Sequence, residues 1–185
     1  MRIVGGALRG RALSGPRSQA IRPTSERLRE SVFDILAHRF GDPVSGANVV
    51  DLFAGAGALG LEAVSRGAAR ALFVDDGAEA RALLRANIEA LGLGGVTRIF
   101  RRDATKLGAA PAGETFSLAF LDPPYGKDFA PQALIALVDG GWLAPDAVVV
   151  VEESARAQIH LPPSLLREDE RRYGDTQFVF ARYIR

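Results

Sequence analysis

The sequence predicts an α/β fold, a mainly parallel seven-stranded sheet with helices on both faces and an antiparallel C-terminal hairpin. Three observations predict it. From Ala47 to Val151, short apolar runs alternate with amphipathic ones, the pattern of strand–helix–strand units whose sheet is covered on both sides. One of these junctions, Gly55-Ala-Gly57-Ala-Leu-Gly60, is glycine-rich where a strand passes into a helix, a place where such folds bring backbone close to a ligand. Beyond Val151 the helical spacing stops, and Gly174-Asp175 is a hairpin turn between the runs Arg167–Tyr173 and Gln177–Tyr183.

The elements follow in order. Residues 1–22 are broken up by Gly5-Gly6, Gly10 and Gly15-Pro16, so only a short hairpin of Ile3-Val4 with Ala12-Leu13, or a loop ordered by a partner, is expected there. Pro23 holds Arg22 extended, Thr24 or Ser25 caps, and Glu26 sits in the first turn of a helix. Leu28, Val32, Phe33, Ile35, Leu36 and Phe40 are the apolar face of that helix. The loop 41–46 is the expected seam between an N-terminal appendage, residues 1–46, and the main domain, residues 47–185. Strands are then predicted over Ala47–Phe53, Ala71–Val74, Val96–Phe100, Phe116–Leu121 and Ala147–Val151. Helices are predicted from the glycine run to about Arg66, over Glu79–Leu91 with Ala80, Leu83, Leu84, Ile88 and Leu91 inward, and over Ala130–Val138.

Composition excludes several classes. The chain has no cysteine and only two histidines, so a thiolate or histidine-rich metal site is not expected. No apolar run approaches the ~20 residues of a membrane helix, and the N-terminus lacks the apolar core of a signal peptide. A soluble, cytoplasmic, monomeric protein without metal is the expectation. The net charge of +1 conceals an asymmetry: Arg2, Arg9, Arg11, Arg17 and Arg22 fall in the first 22 residues with no acid among them. A basic arm on a net acidic body fits a polyanionic partner such as nucleic acid, although an arginine-rich solvated tail has the same composition.

The chemistry gathers at strand ends. Four predicted strand ends carry Asp51, Asp75, Asp103 and Asp122. If their carboxyl ends share one side of the sheet, these acids ring a single crevice, where open α/β sheets bind ligands. Asp75 lies 20 residues beyond Gly55, the spacing of an acid that holds ribose hydroxyls; Asp76 beside it is assigned to the ligand site or to capping the next helix. Asp103-Ala104 reads either as a cap or as a reader of an adenine amine and ring. Asp122-Pro123-Pro124-Tyr125 reads either as a surface turn or as a stiff loop holding a carboxylate and a ring. A loop of that kind suits an exocyclic amine on a planar base, which both Asp122 and the Asp122–Pro123 peptide carbonyl can accept as a hydrogen-bond donor.

Taken together, DLFAGAGALGLEAVSRG, FVDD, RDA and LDPPY resemble the class I S-adenosylmethionine-dependent methyltransferases, whose sheet is Rossmann-like. The DPPY tetrapeptide resembles those that methylate exocyclic amines of nucleobases. RIVGGALRGRAL and RPTSERLRESVFDIL are similar to one subgroup, the RsmD-type 16S rRNA guanine-N2 methyltransferases. This resemblance implies S-adenosylmethionine as cofactor. It implies cofactor contacts from Asp51, Phe53, Gly55, Gly57, Gly60, Asp75, Asp76, Asp103 and Ala104, and catalysis at Asp122, Pro123, Pro124 and Tyr125. It implies ribosomal RNA or the assembled small subunit as partner, met by Arg2, Arg9, Arg11, Arg17 and Arg22. The readings that compete are a nicotinamide-dependent oxidoreductase, a non-catalytic RNA-binding factor on this scaffold, and an adenine-N6 methyltransferase.

Overall fold

The computed structural model describes residues 1–17 and 24–185. Arg22 and Pro23 therefore lie outside the described residues. Among the described residues seven strands and four α-helices follow in order: α1 Glu26–Arg39, β1 Asn48–Leu52, α2 Ala58–Ser65, β2 Arg70–Val74, α3 Ala78–Leu91, β3 Thr97–Phe100, β4 Phe116–Leu121, α4 Phe129–Asp139, β5 Leu143–Ser154, β6 Leu165–Tyr173 and β7 Thr176–Tyr183, with one 3-10 turn at Ala104–Lys106. They form a single sheet of order β3-β2-β1-β4-β5-β7-β6. The first five strands in that order run parallel. β7 pairs antiparallel with both β5 and β6.

Burial follows this layering. Val49, Phe73, Leu118, Phe120, Val150, Phe178 and Phe180 face one core with Val32, Phe33 and Leu36 of α1 and Leu84 and Ile88 of α3. Alternate residues, Val50, Leu52, Leu72, Val74, Ala119, Leu121, Val149 and Val151, face a second core with Ala133, Leu134 and Leu137 of α4. Both faces are covered, so the parallel strands read as continuous apolar runs.

The fifth strand differs from its expected span of Ala147–Val151. It starts earlier because Leu143 pairs with Phe116 and the register then shifts before Val148 meets Leu118. Pro145 and the left-handed Asp146 (φ 62°) fall in that shift, where a bulge absorbs residues that a regular ladder rejects. It also runs on past β4, because Glu152, Glu153 and Ser154 pair with Phe178, Gln177 and Thr176 of β7. Glu152 and Glu153 are thus interior strand residues, 5% and 2% exposed, instead of markers of a strand end.

The N-terminal segment forms a hairpin. Arg2 bridges Ala12, Ile3 N–H donates to Arg11 O (2.9 Å) and Leu13 N–H to Met1 O (2.8 Å). Ile3 and Leu13 join the core under α1. The hairpin lies on the end of α2: Ala7 N–H donates to Ser65 O, and Leu8 N–H to Ser65 Oγ. At Gly6 (φ 76°) a Cβ would fall 1.9 Å from Ser65 O, so this approach requires glycine. Glu62 of α2 joins the pieces. Its carboxylate accepts Val4 N–H (3.0 Å) and Gly5 N–H (2.8 Å) and pairs with Arg66 (2.9 Å) and with the buried Arg29 of α1 (3.3 Å). Arg29 also donates to Arg2 O.

Candidate active site

The carboxyl ends of β1 to β4 open on one cavity of about 640 Å³, a size usual for small-ligand sites. It lies beside β1, where the strand order turns from β2 on one side to β4 on the other, the switch point at which open α/β sheets bind ligands. Asp51, Phe53, Gly55, Asp75, Asp76, Asp103, Ala104, Asp122, Pro123, Pro124 and Tyr125 all line it. The strand-end residues singled out in the sequence are therefore brought together. Gly57 and Gly60 sit just behind this wall as the N-cap and third residue of α2.

The glycine turn is tied to the acids around it. Asp51 is buried at 1% exposure, and its Oδ2 accepts Gly60 N–H (2.9 Å). Burial, with a smaller contribution from nearby Asp75, pushes its carboxyl up to about 8. Asp75 accepts Gly55 N–H on Oδ2 (2.9 Å) and Gly77 N–H on Oδ1 (2.8 Å). Gly57 adopts φ 85°, and a Cβ there would lie 2.3 Å from Leu84 Cδ1, so both conformation and space exclude a side chain. Phe53 is also left-handed (φ 56°), and its ring stacks on Phe129 of α4 at 6.2 Å.

Two expectations are refined here. Asp76 does not cap α3: the cap position is Gly77, which has no side-chain bond, and the N–H of Gly77 goes to Asp75. Asp76 is exposed at the cavity wall because the chain turns outward after β2. Asp103 does cap, with Oδ1 accepting from Thr105 N–H (2.9 Å) and Oγ1 (2.7 Å), which lowers its carboxyl below the ordinary range. It lines the cavity as well, so capping and facing a ligand do not exclude each other.

Around the DPPY loop, residues appear that the sequence did not single out. Ser25 is the cap of α1, through Leu28 N–H (3.2 Å). Thr24 is thereby free to turn inward, and its Oγ1 lies 2.6 Å from Glu152 Oε2 and 3.3 Å from Asp122 Oδ2. Tyr125 donates from Oη to Glu152 Oε1 (2.9 Å) and meets Thr176 Oγ1 (2.9 Å). Burial raises the Tyr125 hydroxyl, with the Glu152 charge adding to it. Asp122 is half-buried at the cavity edge, and burial, then the charges of Glu152 and Asp51, hold its carboxyl well above the ordinary value. Glu152 followed an apolar run and looked like the polar end of a strand; the one available signal was that the strand beside it, β7, is itself apolar.

Of the arginines, Arg2 pairs with Glu26 (3.3 Å) and Arg11 donates to Ala90 O (2.6 Å). Arg9 and Arg17 are exposed, and neither has an ion pair among the described residues. Arg22 lies outside them. His38 and His160 are exposed and distant from the cavity lining. Among the described residues no group of three or more His, Cys, Asp or Glu side chains is placed to hold a metal, and no helix is long and apolar enough to cross a membrane.

This strand order, with its reversed β7 and its acid-walled cavity at the glycine turn, is that of the class I methyltransferases, and by fold the chain is a methyltransferase. The solved structure of the Escherichia coli protein yhhF superposes with a TM-score of 0.84 at 31% identity, covering 100% of this chain and 98% of that one. Residues 1–182 match the family model described as Conserved hypothetical protein 95, and the chain belongs to that family, the RsmD family. It is 37% identical over 165 residues to the ribosomal RNA small subunit methyltransferase D of Escherichia coli, covering 89% of this chain and 80% of the relative. It is 35% identical over 167 residues to YlbH of Bacillus subtilis, covering 89% and 88%.

Proposed function

We propose that this chain transfers a methyl group from S-adenosylmethionine to the exocyclic N2 of a guanine in small-subunit, 16S ribosomal RNA. One observation carries the reading: Asp122 and Tyr125, at the end of β4, open into the same cavity as the glycine turn. The names of the relatives supply the RNA class. The DPPY loop and the N-terminal resemblance supply the amine.

The cavity's own chemistry fits the cofactor. Among the described residues its lining carries seven carboxyl groups, from Asp51, Asp75, Asp76, Glu79, Asp103, Asp122 and Glu152, against one guanidinium, Arg102. Such a wall attracts a cation and repels a pyrophosphate, which weighs against a nicotinamide dinucleotide. S-adenosylmethionine, when bound, supplies an electrophilic methyl group on a positively charged sulfur. Gly55 gives the methionyl part close access to backbone, and Gly57 and Gly60 let the turn behind it pack on Leu84 and Phe73. Asp75, already fixed by two N–H groups, has lone pairs left for ribose hydroxyls, since a carboxylate accepts about four hydrogen bonds. Asp103, whose bonds within the described residues use Oδ1, offers Oδ2 to the adenine amine, and Ala104 N–H reads the ring.

The target guanine is turned out of its stack, which costs least in a single-stranded loop. Tyr125 holds its face, and the Glu152 and Thr176 partners keep that ring from swinging. Asp122 and the Asp122–Pro123 peptide carbonyl accept the N2 hydrogens and aim the nitrogen at the methyl carbon. As the new bond forms, N2 becomes acidic and Asp122 takes its proton. Positioning and preorganised acceptors supply most of the rate. Asp122→Ala is expected to keep cofactor affinity, read by calorimetry, and to lower turnover by about 10²-fold or more. Turnover at the wild-type level would remove Asp122 from the chemistry.

A further inference from the structure

Resting on that reading, we propose that Thr24 and Glu152 extend Asp122 into a proton relay that clears Asp122 to take the amine proton of the methylated base. The geometry is a continuous chain. Asp122 Oδ2 lies 3.3 Å from Thr24 Oγ1, Thr24 Oγ1 lies 2.6 Å from Glu152 Oε2, and Glu152 Oε1 accepts the Tyr125 hydroxyl at 2.9 Å. Thr24 has one hydroxyl hydrogen, and the shorter contact directs it to Glu152. Its lone pairs then face Asp122, so a protonated Asp122 donates to Thr24 while Thr24 donates to Glu152. Two carboxylates on one hydroxyl, both lining the cavity, do not carry two full charges at low cost; the pair retains one proton, as closely spaced carboxylates do.

The proton and electron movements balance. N2 forms a bond to the methyl carbon as the carbon–sulfur bond breaks and its electron pair stays on sulfur. Before transfer, Asp122 hands the resting proton to Thr24 Oγ1 as Thr24 releases its own to Glu152 Oε2, which leaves Asp122 as a carboxylate. One N2 hydrogen then passes to that carboxylate, so the pair ends with two protons and the amine loses its proton without water. The groups facing Asp122 are Thr24 before α1, Asp51 on β1, and Glu152 and Glu153 on β5. Among the groups facing Glu152 are Thr24, Tyr125 and, through Tyr125, Thr176 of β7. Desolvation, then the charge of Glu152, raises the Asp122 carboxyl, the direction that favours a resting proton there. Thr24 and Glu152 act through Asp122 and are positioning residues in this scheme.

The test has a catalytic arm and a substrate-free arm. The first measures single-turnover methyl transfer to unmodified small ribosomal subunits from about pH 5 to 9, the range over which a perturbed carboxylate titrates. The proteins are wild type, Thr24→Val, Thr24→Ser and Glu152→Gln, with cofactor affinity by calorimetry and folding by thermal melting. Thr24→Val and Glu152→Gln are expected to lose about 10-fold or more and to displace the acidic limb of the pH profile, with cofactor affinity unchanged. Thr24→Ser, which keeps the hydroxyl, is expected to restore both rate and profile. The second arm records the infrared carbonyl stretch of the protonated carboxyl in the protein without substrate. The component of that band from Asp122, separate from the one Asp51 contributes, is expected to vanish in Asp122→Asn and to move in Thr24→Val. A Thr24→Val protein with wild-type rate, profile and band overturns the relay. If wild type transfers no methyl group to guanine, the functional reading fails, and the infrared arm still decides whether the carboxyl pair shares its proton through Thr24.

Discussion

Asp51 shows how one residue sets both the shape and the charge of the pocket. It closes β1, is almost wholly buried, and accepts a single backbone N–H from Gly60. The folded-state carboxyl is pushed up to about 8, so folding favours its protonated form. That contribution is whole below the ordinary carboxylate range, declines as pH rises, and is gone above about pH 8. Between those limits it amounts to something on the order of 5 kcal/mol. Denaturant midpoints of the ligand-free protein are therefore expected to fall from pH 4 to pH 8. Asp51→Asn, which keeps an acceptor for Gly60, is expected to reduce the slope. It does not abolish it, because Asp122 is raised with the same sign. An unchanged slope would mean that Asp51 is ionised in the folded protein. At this scale the strand-end acids were legible in the sequence, because Asp51, Asp75 and Asp122 directly follow apolar runs and Asp103 follows one after two arginines. Thr24 and Glu152 were not: their meeting spans 128 residues, and neither has a local pattern to betray it.

The elements divide in the same way. α3 was legible nearly to the residue, because its inward positions keep helical spacing and Gly92 ends it in a left-handed cap. β5 was misjudged at both ends, since the bulge at Pro145-Asp146 and the pairing of Glu152 and Glu153 with β7 depend on neighbouring strands. α1 concealed Arg29, which looks like a solvated position but is buried against Glu62. That ion pair carries the heaviest local consequence. Glu62→Ala removes the partner of Arg29 and Arg66 and two acceptors for the hairpin backbone. It leaves a buried guanidinium uncompensated, a loss of about 3–5 kcal/mol. Urea unfolding is the measurement, and a loss within the range of a surface pair would show that the hairpin and α1 re-pair without Glu62.

Over the whole molecule, a hairpin rich in arginine is docked beside a cavity rich in carboxylates. Each suits a different partner: the hairpin a phosphate backbone, the cavity a cation. The hairpin's charge is less available than its sequence implies, because Arg2 and Arg11 are already engaged with Glu26 and Ala90. Arg9 and Arg17 are the exposed remainder. Replacing both with Ala is expected to weaken RNA binding uniformly across sequences and to reduce the salt slope by about one per arginine; an unaltered slope places the RNA elsewhere. The overall architecture was legible because strand–helix alternation and the glycine turn are local signals, whereas the tight seating of the hairpin on α2 is a product of tertiary contacts at Gly6 and Glu62.

The most direct measurement is transfer of an isotopically labelled methyl group from S-adenosylmethionine to small ribosomal subunits lacking this modification, followed by mapping of the labelled base. The proposed function predicts label on the exocyclic N2 of one guanine in the small-subunit RNA, abolished by Asp122→Ala. Label on an adenine amine, or none with a protein that binds the cofactor, would contradict it.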